Sequence, residues 1–573
     1  MTGIRFAQDR QQAILTIAVL ALLAIALYGP MIGWGVPLAT APERTKTFAT
    51  DEILPLEALA EMHNTFVASK PDRNYGYPWW HYFVVSVAQA PYIALLVLSG
   101  GLQGLSPEFP FGLQDPVGAL RVLTLIGRSV SVVMGAGTVV AAYLFSRALW
   151  GHVAGTVAAL LTMLNYLMIY YSRTGNVDVP AFFWSSLGLV VFATIFTRGL
   201  SSRRAAWLGV FAGLAMATKD QAFALFLPLG FVLLLPHFHR LSGSRYSMRP
   251  ILIGLSASLA AYVLGTGMLI DPHRHITHVY SLLFDQNRIT AAEAYWPPHP
   301  MTWAGAVALT GDFFRALVAL SSLPVLLTSL AGVIMAFRYS PRHMILLLPV
   351  AGIVATLILP TRLVVLRYLL PLTLIIDAFA AYALIALRQS RLRPAWVPLL
   401  ILLCGWRLLI GADLTYAQYH DTRYGASEWL QAHVQAGERV EYFGVTETLP
   451  PLPGSIETRR VAGRVQWVGE FGHGPAVLRY LKEQGPEYLV IIPDWTSKPG
   501  MERSADCPAE VYDALMDGTA GYTLGTYFPP PSLLSGGWWR PPLDNPSVSP
   551  PVRVFARNDV RVRAGHQRPA SER

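Results

Sequence analysis

Charged side chains stand beside long apolar stretches at three places in this 573-residue sequence. These places hold the acidic pair Asp51-Glu52, the acid Asp178, and the adjacent residues Lys219-Asp220. A carboxylate can take a proton from an attacking hydroxyl, and a cation can neutralise an anionic leaving group. Because a charge at the edge of a hydrocarbon layer is costly unless it is solvated or paired, each of these residues is a candidate functional residue.

Lys219 stands out by its residue type. Five of the 44 basic residues are lysines, and Lys219 is the only lysine between residues 71 and 481. A compact ammonium group at a membrane boundary suits a lipid phosphate. The alternative is a structural lysine that snorkels to the boundary and pairs with Asp220 or Asp178.

The acidic residues also have structural interpretations. Asp178 lies two residues before Pro180, which is typical of a helix N-cap. Taken alone, Asp51-Glu52 fits a solvated turn, since acidic pairs are common in loops. Residue type and position leave both alternatives open.

Two further polar clusters lie near the same predicted boundary. The segment Tyr77-Pro78-Trp79-Trp80-His81 fits either a cradle for sugar or lipid, with His81 at an acceptor, or an interfacial aromatic belt in which His81 is structural. His273, His275 and His278 resemble a histidine-rich metal tract. They lack firm ligand spacing, and solvation of a helix end accounts for them without a metal.

The composition is that of a polytopic α-helical membrane protein. Apolar residues make up 53% of the chain and charged residues 14%, whereas soluble domains carry about 25% charged residues. A net charge of +9 would suggest nucleic acid in a soluble chain, but most basic residues here flank apolar segments, where they orient the chain in a bilayer. Cys404 and Cys507 are too far apart to form a CxxC metal site or a disulfide framework.

Apolar stretches of spanning length fill the chain up to about residue 411. A spanning helix needs about 20 apolar residues, and 205–236 is long enough for two short helices that turn at Lys219-Asp220. The single-span candidates are 12–34, 125–146, 152–171, 180–197, 250–270, 315–337, 343–360, 365–387 and 394–411.

Arginine-rich gaps give the predicted orientation, because positive residues in short loops stay on the cytoplasmic side. Every second gap is basic, which supports a cytoplasmic N-terminus, a hairpin over 205–236 and about eleven transmembrane helices. Counting the apolar stretch 81–100 as a crossing would place the later basic gaps outside, so we expect it to lie along the outer face. The predicted outer segments are 35–124, 172–179, 271–314 and everything after about 412.

The residues after 411 have the pattern of a soluble α/β domain. Residues 424–435 and 475–484 predict helices, and residues 439–444 and 487–492 predict strands. From about residue 528 the chain becomes rich in proline and glycine, which predicts an irregular tail. The expected organisation is a transmembrane domain over 1–411 and an extracytoplasmic α/β domain with a Pro/Gly-rich tail over 412–573.

Together these motifs resemble the C-type glycosyltransferase superfamily, in particular the branch of the protein O-mannosyltransferases and the lipid A aminoarabinose transferase. The matching elements are the acidic pair 51–52, the stretch 171–183, the stretch 213–219 and Arg367-Tyr368-Leu369-Leu370-Pro371. The resemblance covers nearly all of residues 1–450. One departure concerns the first loop, where Tyr77-Pro78-Trp79 stands in place of a Pro-Pro-Leu element, which leaves the acceptor open.

The resemblance implies a C-type glycosyltransferase fold and inverting transfer of a sugar from a polyprenyl-phosphate carrier to an extracytoplasmic lipid, glycan or protein. It implies Asp51 as general base, with Glu52 holding the loop or the acceptor. The remaining implied residues bind substrate: Lys219, Arg367 and Arg173 the lipid phosphate, Asp178 a sugar hydroxyl or a neighbouring cation, and Tyr77, Trp79, His81 and Tyr368 sugar, lipid or acceptor.

A lipid monophosphate can be neutralised by protein cations alone, so no cofactor is expected to be required, although a divalent metal is compatible with the chemistry. The expected partners are the polyprenyl-phosphate-linked donor, the acceptor and membrane lipid, and the expected location is a bacterial inner membrane. The competing function is a transporter or flippase of lipid-linked saccharides. Such proteins tend to place charge at the membrane midplane on broken helices, whereas the acidic residues here fall in predicted outer loops.

Overall fold

The computed structural model describes residues 2–68, 76–284, 296–461, 474–497, 501–533 and 548–560. The chain divides into two compact units. A helical unit contains Met1–Gly33, Asp51–Leu96 and Val122–Ala412, and a second unit contains Trp34–Thr50, Val97–Arg121 and Asp413–Arg573. The predicted tail therefore falls only partly within the described residues, since 534–547 and 561–573 lie outside them.

Helices dominate the first 433 residues. The α-helices of this part are Thr2–Tyr28, Glu57–His63, Trp79–Leu98, Pro116–Trp150, His152–Met163, Tyr166–Ser172, Asp178–Arg198, Ser202–Thr218, Phe223–Leu233, Pro236–Leu241, Met248–Gly265, Pro272–Leu283, Trp303–Ser321, Leu323–Tyr339, Leu348–Ile353, Leu359–Thr361, Leu372–Gln389, Trp396–Tyr419 and Thr422–His433.

Within the described residues, nine helices are long and apolar enough to cross a membrane, or ten if the pair His152–Met163 and Tyr166–Ser172, bent by 64°, counts as one span. Two shorter apolar helices, Asp220–Leu233 and Leu323–Tyr339, accompany them. The chain is thus a polytopic α-helical membrane protein, as the composition predicts.

The predicted helices of 205–236 meet at Lys219. Helix Ser202–Thr218 ends at Lys219, whose backbone is extended, and a short 3₁₀ turn leads into helix Phe223–Leu233. Lys219 therefore lies at the turn between two helices, where the sequence places it, and a hairpin that crosses the membrane twice stays a prediction.

The predicted span 315–337 is interrupted in the structure, and the stretch 81–100, predicted at the outer face, forms a long apolar helix. Residues 315–337 do not form one helix, because the chain breaks at Ser322, whose φ is 68°. Pro324, in the first turn of the following helix, is the helix-start signal that the sequence offers at this break. Residues 81–100 belong largely to the continuous helix Trp79–Leu98, which length and apolarity alone would allow to cross, so its place at the outer face stays a prediction.

The helix that ends at Lys219 packs tightly on helix Met248–Gly265. A Cβ atom added at Gly209 would lie 2.1 Å from the Gly254 carbonyl oxygen, and one at Gly213 would lie 2.5 Å from the Ser258 carbonyl oxygen. Only glycine lets the two backbones approach this closely, as at small-residue interfaces between membrane helices. This contact fixes the helix that presents Lys219.

We expect Gly209→Ala to destabilise the protein by about 1–3 kcal/mol, because the added methyl group must push two backbones apart. Thermal unfolding in detergent measures the effect. Gly405→Ala is the matched control, since nothing lies within 4 Å of a Cβ there, and alanine is the better helix former by about 0.5–1 kcal/mol. Equal melting temperatures for the two variants would contradict the packing argument.

A buried ion pair joins four helices elsewhere in the helical unit. Asp377 is fully buried and lies 2.9–3.0 Å from two nitrogens of Arg407. Arg407 also donates to the carbonyl oxygen of Ser321 (3.0 Å), and Thr162 donates to the Asp377 carboxylate (3.0 Å). Because both charges have partners, we interpret this ion pair as a structural contact between the helices.

The C-terminal part of the second unit is a five-stranded mixed sheet in the order β2-β1-β3-β5-β4. Tyr488 and Val490 face the core that contains helix Thr422–His433, and Leu489 and Ile491 face the opposite core, which confirms the predicted α/β domain. Strands β1 to β5 are Arg439–Phe443, Glu457–Arg460, Tyr488–Ile491, Tyr522–Phe528 and Val552–Arg557, and the helices after residue 433 are Gly474–Gln484 and Ala509–Met516.

The expectation of a wholly irregular tail is wrong. Strand β5 lies inside the sheet, antiparallel to both β3 and β4. Val552, Val554 and Ala556 contribute to one face of the sheet and Phe555 to the other. The prolines at 550 and 551 that made this part look irregular stand just before the strand, where proline removes no ladder hydrogen bond.

Candidate active site

Lys219 and Asp178 form a buried ion pair at the ends of two neighbouring helices. The Lys219 Nζ atom lies 2.5 Å from Asp178 Oδ1, and both side chains are almost fully buried. Burial lowers the pKa of Lys219, and the charge of Asp178 opposes that effect. Lys219 is therefore the paired lysine that the sequence allows, with Asp178 rather than Asp220 as its partner.

Asp178 does not cap its helix with its side chain. The helix begins at Asp178 itself, the N-cap residue is Val177, and no side-chain cap hydrogen bond is made. Pro180 lies in the first turn, where its missing N–H group is harmless. The Asp178 carboxylate is free of a capping role and points to Lys219 instead.

Asp51 forms an ion pair with Arg367. About 40% of the Asp51 side chain is exposed, whereas Arg367 is 15% exposed, so this carboxylate is the accessible member of the cluster. Asp51 also has a φ of 59°, in the left-handed region that non-glycine residues rarely adopt. The structure thus places Asp51 at an open edge in a strained conformation.

Two tyrosines complete the cluster. The Tyr368 ring lies 4.9 Å from Lys219 Nζ and 5.8 Å from the Arg367 guanidinium carbon. Burial raises the pKa of Tyr77. The positive charge of Arg367 acts to lower this pKa, and the negative charge of Asp51 acts to raise it. Tyr77 therefore lies within electrostatic reach of the same ions.

The structure brings together six residues that the sequence analysis selected. They come from five separate places in the chain, which the fold brings together. The six are Asp51, Tyr77, Asp178, Lys219, Arg367 and Tyr368, and we call them the charged cluster.

Glu52 has a different environment from its neighbour Asp51. Its carboxylate accepts two hydrogen bonds from Arg128, at 2.7 and 2.8 Å, and a third from the Gly175 backbone N–H at 2.6 Å. The Ile53 N–H in turn donates to the Gly175 carbonyl oxygen. We call this set of contacts the Glu52 clamp, and it fastens the loop of Asp51 to the loop that precedes Asp178.

Arg128 is a residue that the sequence analysis missed. It lies inside the predicted span 125–146, and its side chain is fully buried. A charged residue within a predicted span is expensive and is a functional candidate by default, so the signal was present in the sequence.

Arg173 contacts the first helix. Its Nη2 atom donates to the Leu27 carbonyl oxygen at 2.9 Å, and its charge also interacts with Tyr28. Both of these residues belong to the first helix. Arg173 thus has contacts that hold this helix, and its role at a lipid phosphate stays a prediction.

Trp79 and His81 lie on the first turn of helix Trp79–Leu98. The Trp79 ring stacks on Phe83, with centroids 5.1 Å apart, and meets Phe66 edge-on. His81 is fully buried, and neither ring nitrogen has a hydrogen-bond partner among the described residues. The contacts of Trp79 are those of an aromatic packing cluster, and the acceptor role of His81 stays a prediction.

The histidine-rich segment forms helix Pro272–Leu283. His278 pairs with Asp220 at 3.0 Å, and Arg274 pairs with Glu61 at 3.1 Å. Within the part of the chain that the structure describes, no three His, Cys, Asp or Glu side chains are grouped to hold a metal ion. The segment thus contributes a hydrogen bond with Asp220, next to Lys219, and an ion pair with Glu61.

The Glu52 clamp gives a direct stability prediction. Glu52→Gln leaves Arg128 buried without its counter-ion, so we expect the free energy of unfolding to fall by about 3–5 kcal/mol. Thermal unfolding measures the loss. Glu457→Gln removes the partner of Arg459 from an exposed pair and should cost about 0–1 kcal/mol. Similar losses in the two variants would show that the clamp is not a buried ion pair.

Comparisons with known proteins found a match to one family model and matches to several solved structures. The model of the dolichyl-phosphate-mannose-protein mannosyltransferase family matches residues 123–264, a segment that contains Arg128, Asp178 and Lys219. Among curated proteins no significant match was found.

Three of the solved structures that match are each 12% identical to this chain in sequence. ArnT from Cupriavidus metallidurans, bound to undecaprenyl phosphate, matches with a TM-score of 0.45 over 97% of this chain and 99% of its own. AglB, the oligosaccharyltransferase of Archaeoglobus fulgidus, in complex with an inhibitory peptide and a dolichol-phosphate, matches with a TM-score of 0.45 over 84% and 69%. The Archaeoglobus fulgidus oligosaccharyltransferase with a tethered acceptor peptide matches with a TM-score of 0.43 over the same shares.

Proposed function

We propose that this protein is a membrane glycosyltransferase that moves a sugar, with inversion, from a polyprenyl-phosphate carrier to an extracytoplasmic acceptor. The observation that carries the proposal is the charged cluster, in which two carboxylates and two cations from separate loops meet beside apolar helices. The family model that matches residues 123–264 is named for a lipid-phosphate sugar donor, which supports the same donor class here.

Asp51 is the general base of the proposed reaction. It is the exposed carboxylate of the cluster, so an acceptor hydroxyl can reach it. As the hydroxyl oxygen attacks the anomeric carbon, its proton passes to the Asp51 carboxylate and the bond from that carbon to the phosphate oxygen breaks. A positioned base contributes about 10²- to 10⁴-fold to the rate.

Lys219 and Arg367 stabilise the departing lipid phosphate. Breaking the bond to the sugar leaves both bonding electrons on the phosphate oxygen, and fixed cations in a site with little water lower the energy of that charge. Each cation is paired with a carboxylate in the protein alone. When the donor binds, its phosphate takes over part of these ion pairs, which also releases Asp51 from Arg367 to act as a base.

The other members of the cluster orient the reactants. Asp178 holds the Lys219 ammonium group in place and has a second oxygen, Oδ2, without a hydrogen-bond partner among the described residues, which suits a sugar hydroxyl. Tyr77 and Tyr368 offer ring faces for the sugar or lipid. Glu52 acts indirectly, because its carboxylate is already occupied by the clamp.

The proposed location is a bacterial inner membrane, with a cytoplasmic N-terminus and the C-terminal domain on the opposite side. Alternate arginine-rich gaps in the sequence support this orientation. The two protein cations match the charge of a lipid monophosphate, so we propose that the reaction does not require a metal ion. The acceptor is a lipid, glycan or protein that presents a nucleophile at the charged cluster.

Asp51→Asn should lower the transfer rate by about 10²- to 10⁴-fold, because an amide cannot accept the proton. The measurement is transfer of labelled sugar from a polyprenyl-phosphate donor by the purified protein. Asp559→Asn, which removes the partner of Arg557 in the C-terminal domain, is the control and should keep the wild-type rate. A wild-type rate for Asp51→Asn would eliminate the base assignment. Absence of transfer from any donor, with carrier moving across vesicle membranes, would favour a flippase.

Arg367→Gln should weaken binding of the lipid phosphate by about 10- to 100-fold, the usual value of a hydrogen bond to a charged group. The probe is undecaprenyl phosphate, which at 100 times its dissociation constant should stabilise the wild type by about 2.7 kcal/mol. Arg362→Gln is the control from the same segment, since Arg362 donates to the carbonyl oxygens of His299 and Pro300. Equal stabilisation of both variants would remove Arg367 from the phosphate site.

A further inference from the structure

One face of helix Trp79–Leu98 carries a buried amide. Gln89 is 1% exposed, and its Nε2 atom donates to the carbonyl oxygens of Pro55 and Leu123, both at 3.1 Å. The rest of this helix is mainly apolar, and an amide buried among apolar groups is costly unless it is hydrogen-bonded. Gln89 therefore connects residues 51–56, which we call the Asp51 loop, to a second helix.

The Asp51 loop is attached to that second helix at two points. Leu123 and Arg128 both belong to it, about 7.5 Å apart along its axis at 1.5 Å per residue. Arg128 holds Glu52 through the Glu52 clamp, and Gln89 joins Leu123 to Pro55, three residues further along the loop. A loop held at one point is free to pivot, whereas two separate attachments to one helix fix its orientation.

Further contacts of the same helix face support the loop. The Tyr82 hydroxyl donates to Glu57 Oε1 at 3.2 Å, and Glu57 Oε2 accepts a hydrogen bond from the Leu54 backbone N–H at 3.0 Å. Val85 and Ile53 belong to one buried apolar cluster. The loop is thus held along its length, and all of these contacts lie within the helical unit.

We propose that Gln89 is a positioning residue, which holds the Asp51 loop in the orientation that pairs Asp51 with Arg367. The inference rests on the proposed function, in which Asp51 is the base. Gln89 acts through the backbone at Pro55, four residues from Asp51, and contributes no reacting group. A glutamine suits this task, because its neutral amide supplies two donors, one for each backbone carbonyl oxygen. Asp51 has a φ of 59°, and such a conformation persists only where its surroundings impose it.

The test uses the full-length protein in detergent with Gln89→Met, which keeps the length of the side chain and removes both donors. Without any donor substrate, we expect faster backbone hydrogen exchange over residues 52–58. In transfer of labelled sugar from a polyprenyl-phosphate donor, we expect kcat to fall by about 10- to 100-fold, since small displacements of a catalytic group have effects of this size. The KM for the donor should change less than about twofold, because the cations that bind its phosphate are retained.

Thr162→Val is the matched control. The Thr162 hydroxyl also makes a buried hydrogen bond between helices of the same unit, to the Asp377 carboxylate at 3.0 Å. Its partner belongs to the structural ion pair with Arg407. We expect this variant to lose stability in thermal unfolding, as Gln89→Met does, and to keep the wild-type kcat.

Two conservative variants test the same contacts more gently. Tyr82→Phe keeps the packed ring and removes only the hydroxyl that donates to Glu57, so kcat should fall by about two- to tenfold, the usual value of one hydrogen bond. Gln89→Glu has a buried carboxyl group that stays neutral and keeps one donor. It should recover part of the kcat that Gln89→Met loses, and it serves if Gln89→Met does not fold.

The outcomes separate this inference from the proposed function. Wild-type kcat in Gln89→Met, together with an inactive Asp51→Asn, would overturn the positioning role and leave the proposed function intact. Equal losses of kcat in Gln89→Met and Thr162→Val would also overturn it, because general stability would then be the cause. So would a large rise in the donor KM with loss of stabilisation by undecaprenyl phosphate, which would assign Gln89 to donor binding. A fully active Asp51→Asn would remove the proposed base and, with it, the role of Gln89.

Discussion

Pairing of buried charges across separate segments is the constraint on which the helical unit depends. A lone ion among apolar helices is so costly that the fold must bring a counter-ion to it. Glu52 meets Arg128 in this way, and Asp377 meets Arg407. Because the partners come from distant parts of the sequence, each pair also fixes two loops or helices relative to each other. The same requirement that stabilises the fold thereby assembles a site rich in charge.

The two cation–carboxylate pairs of the charged cluster differ in a way that suits different tasks. Lys219 and Asp178 are buried together, so this pair is a fixed part of the site. Asp51 and Arg367 lie at its exposed edge, where water and ligands compete for both partners. The exposed pair can exchange partners while the buried pair keeps the loops in place. An anion could therefore bind at Arg367 without unfolding the loops of the charged cluster.

Much of this arrangement could be predicted from the sequence, because apolar length and residue type are local signals. They located most helices, the turn at Lys219 and the neighbouring strands β1 and β3. The break at Ser322 has a signal in Pro324, which stands in the first turn of the next helix, but the continuous apolar length over 315–337 outweighed it in the prediction. Strand β5 was hidden by prolines that precede it, and its pairing with β3 is a long-range contact.

The candidate site was predictable to a similar extent. Charges near span ends pointed to Asp51, Asp178 and Lys219, and the resemblance added Arg367. The sequence could not show which carboxylate pairs with which cation, because that depends on the relative placement of segments 41 and 316 residues apart. Residue type alone likewise could not separate the roles of Asp51 and Glu52, which both carry a carboxylate and differ in burial, so their separate roles came from the resemblance.

The position of β5 in the sheet has a consequence for biosynthesis. Translation delivers this strand after every other strand, yet it belongs between β3 and β4. The ribosome must therefore release the chain through residue 557 before the sheet can close, by which time the preceding helices have been synthesised. Nascent molecules would pass through a stage with an inserted membrane part and an open sheet, and premature termination before residue 552 would leave them there.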